Sequence, residues 1–232
     1  MDIKKIKDNG KQAFKRNYWQ CVLVALIMGL LTAGTAVSSA NSAQSTGAAS
    51  QQELTNAIQS LTPEEQMVIA GAVMAAIWVK IIVGLVMRIF VFNPIEVGGY
   101  RFFKKNNLEA TVRAGAIKEG FGNYGHTFAT LFLRDLFLAF WFILLFIPGI
   151  VKSYSYRLVP YLVKDEPELS AIEVITRSRE LMNGHKLEAF LMDISFIGWF
   201  LLGVLTLGIV DVFWTDPYYE SAKANFYLEL TN

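Results

Sequence analysis

Charge is scarce in this 232-residue chain: charged residues make up 18% of it and hydrophobic residues 53%. That balance is unusual for a soluble domain and places the chain in lipid. The net charge is +1, so no basic or acidic excess points to nucleic acid. The single cysteine, Cys21, excludes an internal disulfide, lacks the companions of a metal site, and reads as a small packed residue. The only two histidines, His126 and His185, each precede an apolar run. With no nearby His-Glu pair or cysteine they make a poor metal site, and they read as hydrogen-bonding groups at helix starts. No nucleophile stands at motif spacing from a base, and no nucleotide-binding fingerprint occurs. The expectation is therefore a protein that is not an enzyme and carries no metal or cofactor.

What is present is a pattern that occurs twice in the last hundred residues. Phe132-Leu133-Arg134-Asp135, Trp141-Phe142, Gly149-Ile150-Val151 and Pro160-Tyr161 match Phe190-Leu191-Met192-Asp193, Trp199-Phe200, Gly208-Ile209-Val210 and Pro217-Tyr218 in order and in approximate spacing. Each unit is a long apolar helix, a glycine break and a return segment, long enough to cross a bilayer and come back. A more diverged third copy is read at Pro94 to Phe103, ending the first hairpin.

Lysine and arginine set the topology. Six of them lie between Met1 and Arg16, on a stretch that places Ile3, Ile6, Ala13 and Phe14 on one side. This reads as an amphipathic helix on the membrane surface, retained ahead of a membrane helix over Trp19 to Val37 rather than cleaved as a signal peptide. Ser38 to Gln66 has no Lys or Arg, so loop 38–66 is expected outside the cytoplasm. Thr62-Pro63-Glu64-Glu65 reads as a helix start, with Thr62 as N-cap, Pro63 at the first position and Glu65 closing a capping box. The second membrane helix then runs from about Met67 to Phe92 and ends its regular pattern at Asn93-Pro94, and Arg101 to Lys118 returns the chain to the cytoplasm.

The third apolar helix, Thr127 to Ile147, is expected to break at Pro148-Gly149. Lys164 to Lys186 would otherwise lie outside, so Ile150 to Val163 reads as a tilted or protein-covered return despite Lys152, Arg157 and Pro160. By the same logic Leu187 to Leu207 goes out, Gly208 breaks the helix, and Ile209 to Leu230 returns. The fold expected is all-α: one polytopic membrane domain, 1–232, of about six membrane segments arranged as three helical hairpins (approximately 1–110, 111–168 and 169–232). Both termini and the amphipathic helices lie on the cytoplasmic side.

Six charged residues fall within these segments: Lys80, Arg88, Arg134, Asp135, Arg157 and Asp193. An ionised group at the bilayer centre costs about 2.5–3.5 kcal/mol on insertion scales, so each requires a partner or water. One reading makes them an intramembrane polar site for a lipid head group, ion or proton. The other makes Asp135 and Asp193, at equivalent repeat positions, partners of Arg88, Arg134 or Arg157 that lock helices together.

Taken together, Asn17-Tyr18-Trp19, Phe92 to Gly98, Phe132 to Leu136, Ile147 to Lys152 with Tyr154-Ser155-Tyr156, Ser178-Arg179, Met182 to Lys186, Asp193 to Trp199 and Pro217-Tyr218 resemble the bacterial integral membrane proteins called domain of unknown function 975, found mainly in Gram-positive bacteria. The resemblance covers essentially the whole chain. It implies a plasma-membrane location and brings no catalytic residues with it. Three function classes remain. The first is a non-enzymatic module binding membrane lipids, a substrate, or a partner membrane protein (or a second copy of itself), supported by basic surface helices at Lys4 to Arg16 and Ile172 to Lys186. The second is a small transporter or channel using the intramembrane charges. The third is an intramembrane lipid-modifying enzyme, for which the residues are lacking.

Overall fold

The computed structural model describes residues 2–30 and 61–231, and all the regular structure among them is helical. Most of the loop expected at 38–66, and the far end of the first membrane helix, lie outside the described residues. The chain divides into two compact units, one of residues 1–29 with 92–232 and one of residues 30–91.

In the smaller unit, α3 (Pro63–Met87) is mostly apolar after its acidic first turn, with Lys80 the one charge beyond it, and is followed by a π-helical turn, Arg88–Phe92. Its start is the capping box read from the sequence. The Thr62 amide donates to the Glu65 carboxylate at 2.9 Å, and the Glu65 amide donates to the Thr62 hydroxyl at 3.4 Å. Asn93-Pro94 does not end the helical run. Proline needs no amide partner in a first turn, and Pro94 occupies that place in α4 (Asn93–Leu108).

The larger unit begins with α1 (Ile3–Arg16), capped by the Asp2 carboxylate, and the short apolar helix α2 (Tyr18–Leu30). Then come α4, a 3₁₀ helix (Ala114–Phe121) packed along it, α5 (Tyr124–Leu144), α6 (Phe146–Ser155), α7 (Val159–Asp165) and α8 (Ala171–Leu181). The chain ends with α9 (Lys186–Ile194), α10 (Ile197–Leu205), a π-helical turn (Asp211–Thr215) and α11 (Asp216–Thr231). Among the described residues three helical stretches are long and apolar enough to cross a membrane: Pro63–Gly84, Tyr124–Leu144 and Lys186–Leu205.

Two expectations are corrected here. The break after α5 is at Leu145, whose extended backbone (φ −156°, ψ 125°) separates α5 from α6, while Pro148 and Gly149 lie inside the first turn of α6. Gly149 is needed for closeness rather than for turning, because a Cβ there would stand 2.6 Å from the Phe142 ring on the opposite arm. Gly208 does turn the chain: Leu207 (φ 54°) and Gly208 (φ 85°) are both left-handed, and the Gly208 amide donates to the Gly203 carbonyl at 2.8 Å. The second correction concerns α1. Its apolar face, with Ile6, Ala13 and Phe14 buried, packs on α11 rather than lying open to lipid. Phe14 is fully buried, edge-on to Trp214 at 5.4 Å.

Phe14→Ala should therefore cost about 3 kcal/mol or more, the usual price of truncating a buried aromatic. Lys4→Gln and Lys5→Gln, on the exposed face, should leave stability within about 0.5 kcal/mol. Chemical unfolding of the purified protein in detergent distinguishes the two faces.

Candidate functional site

Four of the six charged residues read from the sequence are brought together as two pairs rather than one site. On α9, the Asp193 carboxylate receives four hydrogen bonds. Arg157, in the turn between α6 and α7, donates from Nη1 to Oδ2 (3.0 Å) and from Nη2 to Oδ1 (2.8 Å). Tyr154 on α6 donates to Oδ2 at 2.9 Å, and Tyr219 on α11 donates to Oδ1 at 2.8 Å. On α5, Arg134 is buried and pairs with Glu96 of α4 at 3.0 Å and with its neighbour Asp135 at 2.8 Å. The matching repeat positions thus differ in use: Asp193 ties distant elements together, and Asp135 is bound by the adjacent residue. Lys80 is exposed on α3 in the smaller unit, and the side chain of Arg88 lies outside the described residues.

The Asp193 cluster continues along α11. Arg157 Nη2 also donates to the Tyr219 hydroxyl at 3.0 Å. One turn on, Lys223 pairs with Glu220 at 2.7 Å, donates to the Tyr100 hydroxyl at 3.1 Å, and sits over the Tyr100 and Tyr219 rings at 4.7 and 5.0 Å. Tyr161, buried, stacks on Tyr227 at 4.6 Å, and its hydroxyl has no hydrogen-bond partner among the described residues. Glu220 and Lys223 fall within the return segment Ile209 to Leu230, but the sequence assigned them no role, and it pointed to none for Tyr100, Tyr161 and Tyr219. The available signal was the spacing of Tyr219 and Lys223 at i and i+4, which puts both on one face.

A second polar feature is an open cleft of about 520 Å³ lined by α4, α7, α8 and α11. Four cationic side chains reach it, Arg101, Lys104, Lys164 and Arg177, against two carboxylates, Asp165 and Glu166. Asp165 is bound by Lys104 and by the Tyr227 hydroxyl, with Arg101 at 3.7 Å; Arg177 approaches Glu166 at 3.4 Å. Lys164 donates to the Gly122 backbone carbonyl. Its ammonium is pushed below the ordinary lysine range by burial and by the positive charge of Arg101. Behind the cleft, Glu119 accepts from both Lys105 and Arg101.

The histidines divide. His185 bonds Glu188 at 2.6 Å across the start of α9, as the sequence suggests, whereas His126 donates from Nε2 to the Leu169 carbonyl at 2.7 Å. Cys21 is buried and accepts from Asn106 at 3.3 Å. Among the described residues no three His, Cys, Asp or Glu side chains stand close enough to share a metal ion.

The family described as "Protein of unknown function (DUF975)" matches residues 3–232, essentially the whole chain. The chain belongs to this family. No curated protein and no solved structure matches it. The family carries no assigned activity, so the reading of these clusters rests on their geometry.

Two outcomes are expected. Asp193→Ala should destabilise by about 3 kcal/mol, and Asp193→Asn by less, because removing the carboxylate strands Arg157 and two tyrosine hydroxyls. A double-mutant cycle with Arg157→Gln in detergent unfolding should return a coupling well above zero. The other outcome is a pH dependence. Burial alone would raise the Glu119 carboxyl, but hydrogen bonds and charge from Lys105 and Arg101 outweigh it and hold it below its ordinary value of 4.5. A depressed carboxylate contributes stability that is present above its unfolded value and lost as pH falls through the lower folded one. Glu119→Gln should therefore reduce stability at pH 7 and flatten the loss on acidification below about pH 4.5, measured as melting temperature against pH.

Proposed function

We propose that this is a non-enzymatic, multi-pass module of the bacterial plasma membrane that binds the anionic head group of a membrane lipid or of a lipid-like substrate. Its roughly six membrane segments form three hairpins, with both termini on the cytoplasmic side. The observation that carries the reading is the cleft of Arg101, Lys104, Lys164 and Arg177. Its four cations exceed its two carboxylates, and Lys164 is held by a carbonyl while crowded by Arg101. A phosphate-bearing group relieves that repulsion and accepts charge-assisted hydrogen bonds from several donors at once. Anionic lipid at the cytoplasmic surface adds about 1 kcal/mol of attraction per nearby cation.

A transporter is the second reading, favoured by the polar chain Asp193–Arg157–Tyr219–Lys223–Tyr100. The two readings separate in one comparison. If the cleft binds head groups, Lys164→Gln with Arg177→Gln should lower the anionic lipid retained on purification severalfold while leaving the melting temperature nearly unchanged. Solute flux in sealed vesicles that is abolished by Asp193→Asn and spared by the cleft variants would favour transport instead.

A further inference from the structure

We propose that the α5–α6 hairpin and the hairpin from α9–α10 into α11 are re-entrant wedges that enter a single leaflet and turn near the bilayer centre, without reaching the opposite surface. Three independent features carry this.

The first is length against charge. A complete crossing of the roughly 30 Å hydrocarbon layer requires about 20 apolar residues in each arm. The return arm after Leu145 has six, Phe146 to Val151, before Lys152. At 1.5 Å per residue Lys152 stands about 10 Å from the turn. The Lys152 ammonium lies 4.7 Å from the Trp141 ring and within the electrostatic reach of Arg179 and Lys186, on the polar side of the unit. In the second hairpin the lysines of α1 mark the same boundary. Lys7 donates to the Ser195 hydroxyl at 3.0 Å and covers the Phe196 ring at 4.6 Å, and Lys11 and Lys15 each lie 5.9 Å from the Trp214 ring. From these points to the turn at Thr206 to Gly208 is about 16 Å along α10, and on the return the first charge, Asp211, comes about 5 Å after Gly208, with its carboxylate turned in against Gly203 of the opposite arm. The outward arm comes to about half of the hydrocarbon layer and the returns to less, so none of them spans it.

The second is the surface of the turns. Leu136 to Val151 and Ile194 to Val210 contain no charged residue. Their ends are among the most exposed apolar groups in the larger unit, with Ile143 at 84%, Ile147 at 75%, Leu205 at 81% and Leu207 at 95%. Apolar tips ringed at their bases by lysine and arginine suit a monolayer, with acyl chains around the tips and anionic head groups around the cations.

The third is the backbone. A turn placed in hydrocarbon must satisfy its polar groups internally, whereas a turn at the far surface can use water. The amides of Leu145 and Gly149 donate to Trp141 and Leu145. Around the second turn, the amides of Thr206, Leu207, Gly208 and Ile209 all donate within the turn. The Thr206 hydroxyl donates to the Leu202 carbonyl at 3.0 Å and accepts from the Val210 amide at 3.2 Å.

The test places a single cysteine at Ile147 or Leu205 in a Cys21→Ser background and reconstitutes the protein in phosphatidylcholine vesicles, where binding of anionic lipid in the cleft has no bearing. Both positions are exposed, so the substitutions should leave the unfolding curve near that of the background. Wedges should resist membrane-impermeant maleimide from both sides. A bimane attached before reconstitution should be quenched more strongly by a spin label at the acyl-chain end than by one at the head group. Labelling from the side opposite the termini would establish full crossings and overturn the proposal. Labelling from the same side as the termini would place the tips in water and overturn it equally.

Discussion

Much of the larger unit depends on one carboxylate. Asp193 has two oxygens that accept about four hydrogen bonds, and all four are supplied, by Tyr154, Tyr219 and both Nη atoms of Arg157. The donors come from α6, from the turn before α7 and from α11, so the ionised side chain sets where three separate parts of the chain meet. Tyr219 then passes the constraint on, because the Lys223 ammonium one turn later lies over its ring and bonds the Tyr100 hydroxyl on α4. Without the carboxylate, a partly buried guanidinium would face two phenols that cannot balance its charge.

Helix α11 shows why a polar helix can sit among apolar ones. It packs against α1 through the buried face of Ile6, Ala13 and Phe14, and against α4 through bonds from Asn107 to the Ser221 carbonyl and from Asn225 to Asn107. Protein covers it on several sides, so most of its polar groups meet neighbours, Glu220 Oε2 being left without a hydrogen-bond partner among the described residues, and it needs no lipid-facing stripe. A one-sided amphipathic pattern is therefore absent, and hydropathy alone undervalues the segment.

The parts of the fold that were legible in the sequence are those governed by near neighbours. The Thr62-Pro63-Glu65 cap and the left-handed turn at Gly208 follow from local chemistry and appear where local chemistry puts them. Pro148-Gly149 and Asn93-Pro94 were misread for a local reason too: proline ends a helix only when it falls in the interior, and both prolines fall in a first turn. Side-chain partners were less legible. Arg157 was one of three arginines that could have met Asp193, and charge cost alone does not choose among them. Glu96, the partner of Arg134, lies 38 residues away on α4; it fell within the Phe92 to Gly98 motif and the third repeat copy, but neither pattern pointed to a charged partner. The apolar face of α1 was visible, but nothing in its sequence distinguishes a lipid surface from α11 as the group that covers it.

The distribution of satisfied and unsatisfied groups bears on where a ligand is held. Asp193 has no acceptor capacity to spare, so a cation entering there must first displace a bidentate guanidinium and two phenols. Arg134 is likewise shared between Glu96 and Asp135. In the cleft the pairing is looser on one side: Lys104 holds Asp165 and Arg101 bonds Glu119, whereas Arg177 reaches Glu166 at a longer 3.4 Å and Lys164 rests on a carbonyl. An anion arriving there gains several donors and breaks no strong pair. On the proposed reading, therefore, the interior pairs hold the helices in register and the head group is bound at the charged edge where α4, α7, α8 and α11 converge.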